Sequence, residues 1–354
     1  MRASPLARSV FVVYALLVVY ASLFPLAGWR DQGLSAFAYL TAARPRYVTA
    51  FDVVANLVGY LPYGFFCVLA LYPRLRGRYA LAAAALSGAL LSVLMEATQS
   101  FLPTRVPSNL DVACNLTGAF AGAVLGIPLA SWLLDGGPLK RLRARAILPG
   151  HPADLGLVLL ALWLFTQLNP AMLLFGAGDL RDLLSAPGGA PHPPELFISV
   201  EALTTAANLV AVALLLSVIA APGRPLRLMV VGLLACALSI RTIAFAILMR
   251  AEHVFDWFTP GAAQGLGGGL LVAFLALALP RVGRLVLAAV LLMAATVLVN
   301  LAPANPYLAA TLGEWQPGRF LNFNGLTKLV TSAWPFAALA YLIWLAARRA
   351  RPAD

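Results

Sequence analysis

The chain has 354 residues, of which 61% are hydrophobic and only 11% charged, and its formal net charge is +11. With a mean hydropathy of +0.86, this composition lies outside the range of soluble globular domains. The positive charge does not point to nucleic acid, because the basic residues sit at the edges of apolar runs, where membrane topology puts them. The composition therefore predicts an all-α, polytopic helical membrane protein.

Crossing a bilayer takes about 20 apolar residues per helix. The sequence supplies about ten such runs, near 9–27, 53–72, 79–102, 111–134, 154–175, 198–220, 226–249, 261–279, 282–302 and 327–347. The first run lacks a small-residue cleavage site and is followed by further spans, so it reads as a retained helix. With the N-terminus inside, Arg2, Arg8, Arg74, Arg76, Arg78, Lys140, Arg141, Arg143, Arg145, Arg224, Arg227, Arg281, Arg284, Arg348, Arg349 and Arg351 fall on the cytoplasmic side. The other side receives fewer: Arg30, Arg44, Arg46, Arg105, Arg181, Arg250, Arg319 and Lys328. The positive-inside rule then makes both termini cytoplasmic. Most carboxylates go the other way, with only Asp135, Asp154 and Asp354 on the cytoplasmic side.

In chain order, the first span ends at Phe24-Pro25 and leads into a long outer loop, whose Trp29, Tyr39 and Tyr47 suit an interfacial aromatic belt. Asp52 opens the second span, with Asn56 four residues on and Pro62 and Gly64 deeper in. Asp and Asn at this spacing share one helix face. A carboxylate at a helix start also caps free N–H groups, which accounts for Asp52 but not for an amide one turn deeper. Asn56 is read either as interhelical glue or as a ligand contact.

The third span carries Glu96 and Gln99 on one face near its outer end. An ionisable group inside a membrane helix is costly enough to mark a functional site, the alternative being a structural ion pair with Arg105. The loop that follows is stiffened by Pro103 and Pro107 and presents Arg105 and Ser108 beside the start of the fourth span. Arginine offers a fork suited to carboxylate or phosphate, and a helix N-terminus adds N–H donors for an anion. Asp111 and Asn115 then repeat the Asp-Val-x-x-Asn-Leu-x-Gly phrase of the second span, and Gly118, Gly122 and Gly126 form a helix-packing face. Two Asp/Asn faces and one Glu/Gln face are thus expected to converge on one outward-facing pocket.

The second half reads as a decayed copy of the first. Ser22-Leu-Phe-Pro25 is echoed by Gln167-Leu-Asn-Pro170, Ala55-Asn56-Leu-Val58 by Ala207-Asn208-Leu-Val210, and Asn115-Leu-x-Gly118 by Gln264-Gly-x-Gly267, at offsets of 145, 152 and 149 residues. Its acids are not copied: Thr204 stands for Asp52 and Pro260 for Asp111. The chain divides on this reading into a unit of four helices over 1–150 and a unit of six over 151–354, the second structural. Arg241 lies mid-span and calls for a partner, Glu201 or Asp256. Cys67, Cys114 and Cys236 read as small core residues, the three histidines show no metal-ligand spacing, and no cofactor motif is assigned.

With Asp52, Asn56, Pro62-x-Gly64, Glu96-x2-Gln99, Arg105 and Asp111, Asn115 and Gly118 in this order, the stretch from residue 10 to 130 resembles the VanZ-like family of bacterial integral membrane proteins. That family is named after an accessory protein linked to low-level resistance to the glycopeptide teicoplanin. The resemblance implies a bacterial inner-membrane protein of the cell envelope. Three functions stay open. The first is a site for a lipid-linked envelope precursor or polar lipid, in which Glu96, Asp111 and Asp52 carry acid–base chemistry and Arg105, Asn56, Gln99, Asn115 and Ser108 hold the ligand, or in which the three carboxylates bind a divalent cation. The second is a transporter or flippase. The third is a non-catalytic accessory subunit.

Overall fold

The computed structural model describes residues 4–33, 35–43, 48–181, 192–249, 251–303, 305–306 and 321–350. Arg2, Arg44, Arg46, Tyr47, Arg250, Arg319, Arg351 and Asp354, assigned to sides or belts above, lie outside them. The described residues form eleven α-helices and no strand, and eight of the helices are long and apolar enough to cross a membrane. The protein is a multi-pass helical membrane protein. Its chain separates into two compact units, Met1–Arg145 with Arg319–Leu326, and Ala146–Gly318 with Thr327–Asp354.

The first unit holds α1 (Pro5–Leu23), α2 (Ala50–Leu71), α3 (Gly77–Gln99), α4 (Asn109–Ser131) and the short basic α5 (Pro138–Ala146). Without a hydrophobic force between helices in lipid, association relies on close approach of backbones. Helices α2 and α4 achieve this through glycine. A Cβ on Gly118 would collide with the Leu57 carbonyl, one on Gly122 with the Leu61 carbonyl, and one on Gly64 with the Ala119 carbonyl. Pro62 sits inside α2 without ending it. The aromatics of the loop between α1 and α2 divide: Trp29 is exposed, but Tyr39 is buried, with its hydroxyl donating to the Val93 carbonyl at 3.0 Å. Tyr39 is therefore no belt residue, because a short 3-10 turn at Ala38–Thr41 lays it on α3.

The second unit holds α6 (His151–Thr166), α7 (Pro194–Ile219), α8 (Leu226–Leu248), α9 (Pro260–Ala276), α10 (Arg281–Leu301) and most of α11 (Leu321–Ala350). Helix α7 is largely apolar and 78% of its spanning window is buried, which makes it the centre of this unit. Helix α9 packs on it through Gly261, Gly265 and Gly269, where added Cβ atoms would press on Ile198, Ala202 and Ala206. Two of the ten expected spans, α6 and α9, are shorter than the others. Helix α6 stops at Thr166 instead of running to residue 175. Gln167 Nε2 turns back to the Trp163 carbonyl at 3.1 Å, Asn169 accepts from the Ala171 N–H at 3.0 Å, and Pro170 disfavours helix at Asn169. Cys67 and Cys114 are buried as expected of core residues, whereas Cys236 is exposed on α8.

Candidate functional site

The polar residues of the first unit gather where α2 and α4 begin and α3 ends. Glu96, on the last turn of α3, is only 4% exposed and accepts a hydrogen bond at Oε2 from the Ser108 N–H at 2.8 Å. The Ser108 hydroxyl caps α4, accepting from the N–H groups of Leu110 (3.1 Å) and Asp111 (3.4 Å). The anion at the head of α4 is thus supplied by the protein itself: the Glu96 carboxyl takes the place that the sequence offers to an external phosphate or carboxylate.

Behind Glu96, Asn115 Nδ2 donates to Ser92 Oγ at 2.9 Å, while Asn115 Oδ1 is buried with no hydrogen-bond partner. The Tyr60 hydroxyl, also buried, faces Ser92 without closing a hydrogen bond. In front, the Asp111 carboxyl is flanked by the Asn56 side chain and by the charges of Asp52 and Glu96. Asp52 stands at the exposed rim in a capping box: the Thr49 hydroxyl donates to Asp52 Oδ2 at 2.7 Å, and the Asp52 N–H donates to Thr49 Oγ1 at 3.1 Å.

Two of the singled-out residues turn elsewhere. Gln99 Nε2 donates to the Ser22 carbonyl at 2.8 Å. Arg105 makes no ion pair with Glu96; its Nε donates to the Phe24 carbonyl at 3.1 Å, and its Nη2 donates to the carbonyls of Phe24 and Ala21 and to Asn322 Oδ1. Both side chains tie the end of α1 to the α3–α4 corner, where they complete carbonyls that a helix end leaves open.

The loop between α1 and α2 covers this corner. Gln32 Nε2 donates to the Ser100 carbonyl (2.7 Å), the Arg30 N–H to the Phe101 carbonyl (2.9 Å), and Asn109 Nδ2 to the Ala42 carbonyl (2.8 Å). Burial, and then the charge of Glu96, raise the Tyr39 phenol above its ordinary value. Among the described residues no three His, Cys, Asp or Glu side chains come close enough together to hold a metal ion. Asp52, Asp111 and Glu96 form a row of neighbours rather than a common ligand shell.

Sequence reasoning did not place Ser92, Tyr60 or Asn322 at this site, and put Tyr39 in an aromatic belt instead. Ser92 lies four residues before Glu96 and Tyr60 four after Asn56, so helical spacing alone places both on faces already singled out. Tyr39 and Asn322 carry no such signal.

Residues 11–131 match the VanZ/LLP1 family model, a stretch that runs from α1 to the end of α4 and contains every residue of this site except Asn322. No curated protein and no solved structure matches the chain.

Proposed function

We propose that the chain is, through the residues 11–131 that match the VanZ/LLP1 model, a VanZ-family membrane protein whose first unit binds the polar head of a lipid, of the class of lipid-linked cell-envelope precursors, from the extracytoplasmic side of the bacterial inner membrane. The observation that carries the reading is a cluster of acceptors: a buried Glu96 carboxyl, an unpartnered Asn115 Oδ1 and the neighbouring Asp111, with no cation among the described residues in an ion pair with either acid. Buried polar atoms left without partners are costly. A ligand rich in hydroxyl or amine donors, such as a sugar head, satisfies them; a bare phosphate does not. Asp52 and Asn56 line the mouth. Ser108, Gln99 and Arg105 position the walls rather than touch the ligand.

The orientation of this reading follows the basic residues, with both termini in the cytoplasm. The unit of 1–150 carries the site, and the unit of 151–354 is a divergent copy of the same helix plan, an inference supported by the glycine-paired helices α2 and α4 in one and α7 and α9 in the other. A link to teicoplanin-type susceptibility then runs through the lipid-linked precursor. Because the polar groups lie at one end of the helices rather than at their midpoints, a transporter reading has less support.

The test is retention of polar lipids by the full chain in nanodiscs made with bacterial lipid extract, read by native mass spectrometry. Glu96→Gln, Asp111→Asn and Asn115→Leu are each expected to weaken retention of one headgroup class by about tenfold, the equivalent of one lost buried hydrogen bond to a charged group. Unchanged retention in all three, with folding intact, removes the proposal. Turnover of the retained lipid in the same assay assigns acid–base chemistry to Glu96 and Asp111, while retention without turnover assigns a binding role.

A further inference from the structure

The second unit contains a partly open cavity of about 250 Å3 between α7, α8 and the start of α9. Its walls carry two buried charges of opposite sign, Glu201 on α7 and Arg241 on α8. Arg241 is expected above to pair with Glu201 or Asp256, and it pairs with neither: Arg241 and Glu201 feel each other's charge, yet they do not come within the 4.0 Å ion-pair distance. Arg241, 2% exposed, is held by the carbonyls of Asn169 and Met172, to which Nη1 and Nη2 donate, and its guanidinium stacks 5.0 Å from the Phe245 ring centroid. Its Nε is buried without a partner, as is Nε1 of Trp257 in the same wall. Glu201 Oε2 accepts from the Thr259 hydroxyl at 2.6 Å. The other acid at the wall, Asp256, is engaged by His253 Nδ1 at 2.7 Å.

A buried arginine hydrogen-bonded only to carbonyls has no counter-charge in contact, and neither has a buried glutamate hydrogen-bonded only to a hydroxyl. Each is expensive in a membrane unless something neutralises it. Because a cavity separates them, one molecule carrying both signs can neutralise both. We propose that this cavity binds a zwitterionic phosphate–ammonium headgroup, with the ammonium at Glu201 and the phosphate at Arg241 and Trp257. Leu173, Leu174, Phe197 and Phe245 supply apolar walls for the adjoining carbons. The volume is slightly below the range of about 300–1,000 Å3 typical of drug-sized ligand sites, which suits a headgroup rather than a whole lipid. A pure anion leaves Glu201 unmatched, and a pure cation leaves Arg241 unmatched.

The experiment is a thermal-stability titration of the full-length purified protein in detergent with three probes: short-chain phosphatidylethanolamine, short-chain phosphatidylglycerol and water-soluble glycerophosphoethanolamine. Saturable stabilisation by phosphatidylethanolamine at least about tenfold tighter than by phosphatidylglycerol is expected. Glu201→Gln, which keeps an acceptor for Thr259, is expected to erase that preference by weakening the phosphatidylethanolamine response, with no loss of the phosphatidylglycerol response. Ile198→Trp fills the cavity without altering a charge, and is expected to abolish the response to phosphatidylethanolamine in a protein that still melts cooperatively. Equal binding of the soluble and the lipid zwitterion supports the site and assigns it to a soluble ligand; binding of the lipid alone supports it and assigns it to the bilayer. Equal responses to phosphatidylethanolamine and phosphatidylglycerol, or an unchanged preference in Glu201→Gln and Ile198→Trp, overturn the proposal.

Discussion

Gly122→Leu is expected to abolish the folded first unit. At this position α4 lies directly against α2, so that any Cβ overlaps the Leu61 carbonyl and comes to 3.0 Å of the Phe65 nitrogen. These are backbone atoms, which cannot rotate away as a flexible side chain can. Gly118 and Gly64 repeat the close approach on either side, against Leu57 and Ala119, so the helices would have to separate along their common length. In lipid, separation forfeits the dispersion contacts that hold the pair together, with no hydrophobic force to restore them. A loss of about 3 kcal/mol or more is expected for Leu, with Gly122→Ala intermediate. Gly59, on the same helix α2, has no heavy atom within 4 Å of its added Cβ; Gly59→Ala is expected to be neutral or to stabilise by up to about 1 kcal/mol. Melting curves in detergent and membrane abundance check both. A Gly122→Leu protein with wild-type melting contradicts this description of the α2–α4 contact.

Arg105→Ala is expected to have the next largest effect. The guanidinium satisfies the Phe24 and Ala21 carbonyls and the Asn322 amide oxygen at a part-buried corner. Removing it leaves several acceptors open, at a cost of about 2–4 kcal/mol. Arg105→Lys, with a single compact ammonium, is expected to recover only part of this, because one donor group cannot span the Phe24 carbonyl and Asn322 as the planar fork does. Hydrogen exchange at the end of α1, over residues 20–26, is expected to rise in Arg105→Ala. Wild-type exchange there, with wild-type melting, contradicts the positioning role and returns Arg105 to the candidates for ligand contact.

The membrane class and the helix starts were legible because apolar run length and helical spacing are properties of the sequence itself. The same spacing put Asp111 with Asn115, and would have put Ser92 with Glu96. The destination of a long polar side chain was less legible. Arg105 and Arg241 both end mainly on backbone carbonyls, and a carbonyl carries no side-chain signature that a sequence can display. Asp52 shows a further limit. The repeated Asp-Val-x-x-Asn phrase suggests two equivalent acids, yet Thr49 three residues earlier makes Asp52 half of a capping box, whereas Asp111 is capped for by Ser108 and faces Asn56. Identical phrases take different roles because the Thr49 N–H donates to Asp52, whereas the Ser108 N–H is taken by Glu96 and leaves Asp111 outside a capping box. The end of α6 was missed for a related reason: Gln167 and Asn169 bond back to main chain, and hydropathy alone does not register that competition.

The central claim, that the buried corner around Glu96 receives a polar lipid head, is tested most directly by photo-crosslinking in living bacteria. A photoreactive phenylalanine analogue at Tyr60, a buried residue beside Ser92 and Glu96, is compared with the same analogue at Leu90, which is 61% exposed on α3. The Tyr60 probe is expected to capture one class of donor-rich polar lipid, and to lose it when Glu96→Gln is added, while the Leu90 probe captures bulk membrane lipid irrespective of Glu96. Capture of only neighbouring helices at Tyr60, or of the same bulk lipids as at Leu90, contradicts the account.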